Sequence, residues 1–235
     1  HSNLSFEECY MTNIRVLLLL IISFISYADD HESDENLGFI LMSTYEMAYG
    51  SKYADLEKNL ISEAKAGVKD GYDSCSLYRH AQGSQRAFYM VCSFKTMDQF
   101  AKIMEAPRDY SNDKQLFASH SDHILSRVVV ELDSPPPFVM FGKWKPGPNL
   151  SMGQFSERMS SFQKAFSKGF KGCNEFIHAW GPEYAGYLAC GFDSWKDFAK
   201  KSQAAGGYVS AALNEYAVTG IVEHSDELLV RVYPK

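Results

Sequence analysis

The chain repeats itself. Shifted by 98 positions, residues 71–102 align without a gap on residues 169–200, and twelve of the 32 positions are identical, among them Cys75/Cys173, His80/His178, Tyr89/Tyr187 and Cys92/Cys190. Average residue usage predicts about two chance identities in such a stretch. A second block, His120-Ser121-Asp122 with Leu125, Arg127 and Val128, returns as His224-Ser225-Asp226 with Leu229, Arg231 and Val232 at a shift of 104. The six extra residues of the second copy are assigned to the Gly206-Gly207 region, between its last helix and last strand. A duplication of this length constrains the fold more than any composition does, because whatever one copy becomes, the other must become too.

Both copies present the same order of elements. An apolar strand (39–47; 138–144) precedes a helix whose apolar residues recur at steps of three or four. These are Tyr53, Leu56, Leu60, Ala64 and Val68 in the first copy, and Met152, Phe155, Met159, Phe162, Phe166 and Phe170 in the second. Two β-like runs follow around a short turn (75–81 and 87–94; 173–179 and 185–192). A second helix (96–105; 194–204) has Thr96 or Ser194 as its N-cap. A branched apolar strand (124–132; 228–233) ends each copy, and His120-Ser121-Asp122 and His224-Ser225-Asp226 ahead of it read as turn formers.

The fold class is therefore α+β: two tandem ferredoxin-like βαββαβ units, each a four-stranded antiparallel sheet with helices on one face. One unit alone leaves its second sheet face bare, and packing the two sheet to sheet covers both. The order and the duplication together resemble the dimeric α+β barrel superfamily, of the antibiotic-biosynthesis-monooxygenase type, with the dimer fused into one chain over residues 38–235. That resemblance implies a small-molecule site between the sheets, in relatives that are cofactor-independent monooxygenases or handle haem. The predicted boundaries are 38–133 and 138–235 for the repeats, with Ser134-Pro135-Pro136-Pro137 as a stiff linker.

Upstream, Met11 to Arg15, the apolar run 16–26 and small residues at Ser26 and Ala28 read as a secretory signal peptide over 11–28. Residues 1–10 read as a non-native or upstream segment, and 29–37 as an acidic linker. The mature protein is expected in the periplasm or secreted, off the membrane, as a monomer acting as a pseudo-dimer. A net charge of −6 over the 235 residues leaves no electrostatic footprint for nucleic acid.

Without Cys9, four cysteines remain in an oxidising compartment. Across an antiparallel hairpin, opposed residues keep a constant index sum. Turns at Gly83-Ser84 and Gly181-Pro182 set Cys75 opposite Cys92 and Cys173 opposite Cys190, at non-hydrogen-bonded positions close enough for disulfides. The pairs are read as disulfides; buried thiols kept by duplication are the alternative.

Alternation along the hairpins places Tyr78, His80 and Tyr89 on one face, matched by Phe176, His178, Trp180 and Tyr187. Facing the space between the sheets, they would line a site for a flat, small apolar or aromatic ligand. There His80 and His178 are the candidate catalytic residues, as acid, base or haem ligand. A filled core with satisfied histidines, making the protein a structural or interaction module, is the competing reading. Strand order is read as placing His80 and His120 at opposite ends of one sheet. Arg127 and Arg231 then fall toward the end of His80 and His178, as anion anchors or strand ends. His120 with His123, or His224 with Glu227, has metal-like spacing but is short of a zinc ligand set. Phosphate-loop, Cys-x-x-Cys and zinc-peptidase motifs are absent from the sequence.

Overall fold

The computed structural model describes residues 37–82, 86–107, 116–170, 172–216 and 220–235. The assigned leader, the segment before it, the acidic stretch up to residue 36 and the first hairpin tip at Gly83-Ser84 lie outside the described residues.

Strand β1 (Phe39–Met47) leads to helix α1 (Tyr53–Asp70), the hairpin β2 (Ser74–Gln82) and β3 (Ala87–Phe94), helix α2 (Met97–Glu105) and strand β4 (Phe117–Val129). The order then repeats as β5 (Phe138–Pro146), α3 (Met152–Phe170), β6 (Cys173–Trp180), β7 (Gly186–Phe192), α4 (Trp195–Tyr216) and β8 (Ile221–Tyr233). The strands close into one barrel in the order β1-β3-β2-β8-β5-β7-β6-β4. The first half contributes the run β4-β1-β3-β2 and the second the run β8-β5-β7-β6. The two runs join edge to edge, where β2 pairs with β8 and β4 with β6, both antiparallel. Among the described residues closure leaves no strand edge unpaired, which removes the template for aggregation that open sheets carry.

Local chemistry explains the elements. Thr96 accepts from the Gln99 backbone N–H at 3.1 Å while the Gln99 side chain accepts from Lys95 N–H at 2.7 Å, a reciprocal cap on α2. Ser194 does the same for Asp197 N–H at 3.1 Å. The apolar stripes bury Leu56, Leu60 and Ala64 of α1 and Phe155, Met159 and Phe162 of α3, each Leu or Phe contributing about 1.5–3 kcal/mol of transfer free energy. Val68 and Met152, at the stripe ends, are exposed. Helix α1 lies on β2 and β3, and α3 on β6 and β7, so the helices cover the outside and the other strand face lines the interior. Among the described residues, no helix is long and apolar enough to cross a membrane.

Three expectations are corrected. Helix α4 runs on to Tyr216, so Gly206-Gly207 is helical rather than a loop insertion. Strands β4 and β8 start at Phe117 and Ile221, so both His-Ser-Asp segments are strand. There His120 pairs with Tyr45 and stacks on it at 4.5 Å, and His224 does so on Trp144 at 4.7 Å. The ends of the sheet also differ from expectation. Arg79 stands opposite Phe88, Phe88 opposite Tyr45, and Tyr45 opposite His120, so His80 and His120 are at the same end, three strands apart. Arg127, next to Ser126 opposite Phe39, is at the other end, where β2 begins. The physical reason is that β4 runs antiparallel to β1 while β2 runs parallel to it.

Candidate functional site

Inside the barrel, alternate residues form one apolar cluster that includes Ile40, Tyr78, Tyr89, Phe141, Phe176 and Tyr187. Of the expected interior aromatics, Tyr78, Tyr89, Phe176 and Tyr187 are in it, whereas Trp180 lies past the rim and is 68 % exposed. Burial raises the phenol pKa of Tyr78, Tyr89 and Tyr187, so these rings stay neutral at any physiological pH.

The two ends of the interior differ in chemistry. At the linker end is a cavity of about 320 Å³, within the range of small-molecule sites. Ile40, Val139, Phe141, Phe176 and Leu229 supply apolar wall; Leu132 to Pro136 form its cover; Ser76, Asn174 and Arg127 bring polar groups to it. Tyr78 lines it too, its hydroxyl donating to the Pro136 carbonyl at 3.4 Å. The cavity thus joins Tyr78, Phe176 and Arg127. It does not include His80, His178, Tyr89, Tyr187, Trp180 or Arg231. Arg231 instead donates from Nη1 to the Pro135 carbonyl, tying the linker to β8.

The opposite end holds the titratable groups. His80 Nε2 on β2 approaches Glu227 Oε2 on β8 at 2.5 Å, with the carboxylate off the N–H axis. Burial first, opposed by the imidazole, raises the Glu227 pKa. At the matching seam, His123 Nδ1 is 3.5 Å from the Tyr187 hydroxyl. Burial, with Lys143 and His178 nearby, lowers the His123 pKa. The Nδ1 of His178 is buried with no hydrogen-bond partner among the described residues. Lys143 and Lys145 interlace with Glu183 and Glu223 at the rim, Lys143 to Glu183 at 2.8 Å and Lys145 to Glu223 at 2.9 Å. This end sets a carboxylate against an imidazole, the kind of groups that acid–base chemistry uses.

Sequence reasoning missed Glu227 and His123 as interior partners. The signal was present: the shift of 104 superposes His123 on Glu227. Only barrel closure, which brings β8 to β2 and β4 to β6, makes each a neighbour of a hairpin histidine.

The disulfides are formed. Cys75 pairs with Cys92 at a Cα–Cα distance of 4.0 Å and Cys173 with Cys190 at 4.2 Å, in the register that the index sums require. They lie on the outer strand face under the helices, away from the cavity.

A closed antiparallel barrel with helices on its outer face defines a class of fold, and solved structures resemble it. An anthrone oxidase-like protein aligns over 85 % of this chain and 93 % of its own at a TM-score of 0.59 and 10 % identity. A candidate monooxygenase from Fusobacterium nucleatum aligns over 85 % and 94 %, also at 0.59 and 10 %. A chlorite dismutase from Candidatus Nitrospira defluvii in complex with imidazole aligns over 86 % and 93 % at 0.50 and 11 %. What the chain shares with them is the dimeric α+β barrel fold, the fold that the sequence resemblance implies. No family model and no curated protein matches the sequence.

Haem, which the superfamily resemblance brings with it, needs an axial His, Cys, Met or Tyr. Of these, among the described residues, the cavity offers Tyr78 alone, with its hydroxyl turned to Pro136. The donor set of this cavity does not fit a histidine-ligated haem.

Proposed function

We propose that this is an exported barrel protein, two ferredoxin-like units fused in tandem, that binds a small apolar or aromatic molecule inside the barrel at its linker end. The observation that carries the reading is the cavity of about 320 Å³ with aliphatic and aromatic walls. Burying an apolar ligand there releases its hydration at about 25 cal/mol per Å². Two disulfides in a chain of this size support an oxidising compartment, and covalent fusion supports a monomer that serves as its own dimer. The alternative, a cofactor-independent monooxygenase-like or haem-binding enzyme using His80 or His178, draws on fold likeness and on the imidazoles at the far end. Haem titration followed in the Soret band addresses it.

The binding reading is tested with 2-naphthamide as a neutral aromatic probe, titrated into the secreted protein by calorimetry. Saturable one-to-one binding, abolished by filling the cavity with Ala189→Phe, is the expected result. No binding, or binding indifferent to Ala189→Phe in a folded variant, overturns it.

A further inference from the structure

We propose that the natural occupant of the cavity is an apolar carboxylic acid whose carboxylate is anchored by Arg127; this rests on the binding reading above and adds the ligand's charge. Arg127 stands on β4 opposite Phe176 of β6 and lines the cavity. Its Nε is buried and meets no acceptor, and among the described residues no carboxylate lies within ion-pair distance of the guanidinium. Burial holds the guanidinium pKa below its ordinary value, opposed only by the field of Asp73. A half-buried guanidinium whose Nε is shut off from water and meets no acceptor is costly unless something of opposite charge arrives. Its counterpart in the second repeat, Arg231, has its own carbonyl acceptor on the linker. The free anchor is therefore Arg127 alone.

The neighbours of Arg127 favour an anion as well. The Asn174 side-chain oxygen accepts from the backbone N–H groups of Glu131 at 2.9 Å and Leu132 at 3.0 Å, so the group it has left to offer is its NH₂ donor. Ser76, buried on β2, adds a hydroxyl. One guanidinium among neutral donors suits a single negative charge, and a planar carboxylate matches the guanidinium fork. Asp133, also on the lining, opposes a more highly charged group such as a phosphate. The apolar remainder, from Ile40 to Leu229, suits a ring or short hydrocarbon body.

The test compares 2-naphthoate with its neutral isostere 2-naphthamide on the same full chain at low salt and pH 7. Naphthoate is expected to bind about tenfold more tightly than the amide, as for a hydrogen bond to a charged group. Arg127→Gln is expected to erase that preference, and Asp133→Asn to widen it. Equal affinity of the two probes for the wild-type protein overturns the proposal without recourse to any variant, and leaves the binding reading standing. An Arg127→Gln variant that is folded by near-ultraviolet circular dichroism yet keeps the preference overturns it too. Failure of both probes to bind removes the cavity reading itself.

Discussion

His80 and Glu227 meet 2.5 Å apart across the β2–β8 seam, 147 positions apart in a chain that brings them together only by closing its barrel. With the imidazole side chain 4 % and the carboxylate side chain 23 % exposed, the imidazole is shut off from water and the carboxylate is only partly reached by it. His80→Ala strands a carboxylate inside the barrel and is expected to cost about 1–3 kcal/mol in urea unfolding. Glu227→Gln keeps a polar group of the same size beside the imidazole and is expected to cost less. In the double variant the stranded charge is gone, so it should be more stable than His80→Ala alone. A double variant at the sum of the two losses would show that the contact carries no coupling.

Each disulfide spans 17 positions, and closing a loop of that length restricts the unfolded chain by about 3 kcal/mol. Cys75→Ala with Cys92→Ala, and separately Cys173→Ala with Cys190→Ala, should each lower stability by that order. Probe binding should remain in the folded fraction, because both bridges lie outside the barrel. Loss of affinity without loss of stability would contradict this placement.

Glu175, wholly buried on β6 under α3, carries a carboxyl whose pKa burial raises from 4.5 to about 7, with Ser160 at 3.3 Å opposing that. The native state then holds a proton that the unfolded state releases at lower pH. This contribution is fully present below pH 4.5 and is lost as pH rises to about 7, by about 3 kcal/mol in all. His123, whose pKa burial lowers, acts in the opposite sense as pH rises through its own range, so the measurement is a difference. Wild type minus Glu175→Gln, by urea midpoint from pH 4 to pH 8, should fall with pH. Glu175→Leu, matching Leu77 of the first repeat, should be more stable than wild type at pH 8. A flat difference would mean that water reaches the carboxylate.

Gly169 on α3 lies so close to α4 that an added Cβ would be 2.5 Å from the Ala205 Cβ and 2.5 Å from its backbone N. Gly169→Ala must separate the helices, at about 1–3 kcal/mol by thermal unfolding. A neutral result would show that the helix pair shifts freely.

That glycine also shows where identity of letters stops short of identity of role. The repeat aligns Gly169 with Gly71, yet Gly71 ends α1 in a left-handed conformation at φ 123°, a turn that a glycine adopts without steric penalty. In the second repeat Gly172, at φ 131°, takes that conformation, and the helix runs on past Gly169 to its contact with α4. The His-Ser-Asp segments teach the same lesson. As isolated tripeptides they look like turns, but each histidine finds an aromatic ring on the neighbouring strand, and cross-strand pairing outweighs local turn preference.

The sequence by itself determined the element order, the hairpin register that sets cysteine against cysteine, the helix caps and the alternation that turns Tyr78, Tyr89, Phe176 and Tyr187 inward, though not Trp180. Each of these depends on periodicity or on partners a few tens of residues away. Closure of the barrel decided the rest: which seam His80 shares, why Arg127 and Arg231 end in different company, and at which end space remains. Those outcomes depend on how two halves bend and meet, and a strand carries no local mark of the edge it will pair with, because backbone hydrogen bonding is the same for every partner.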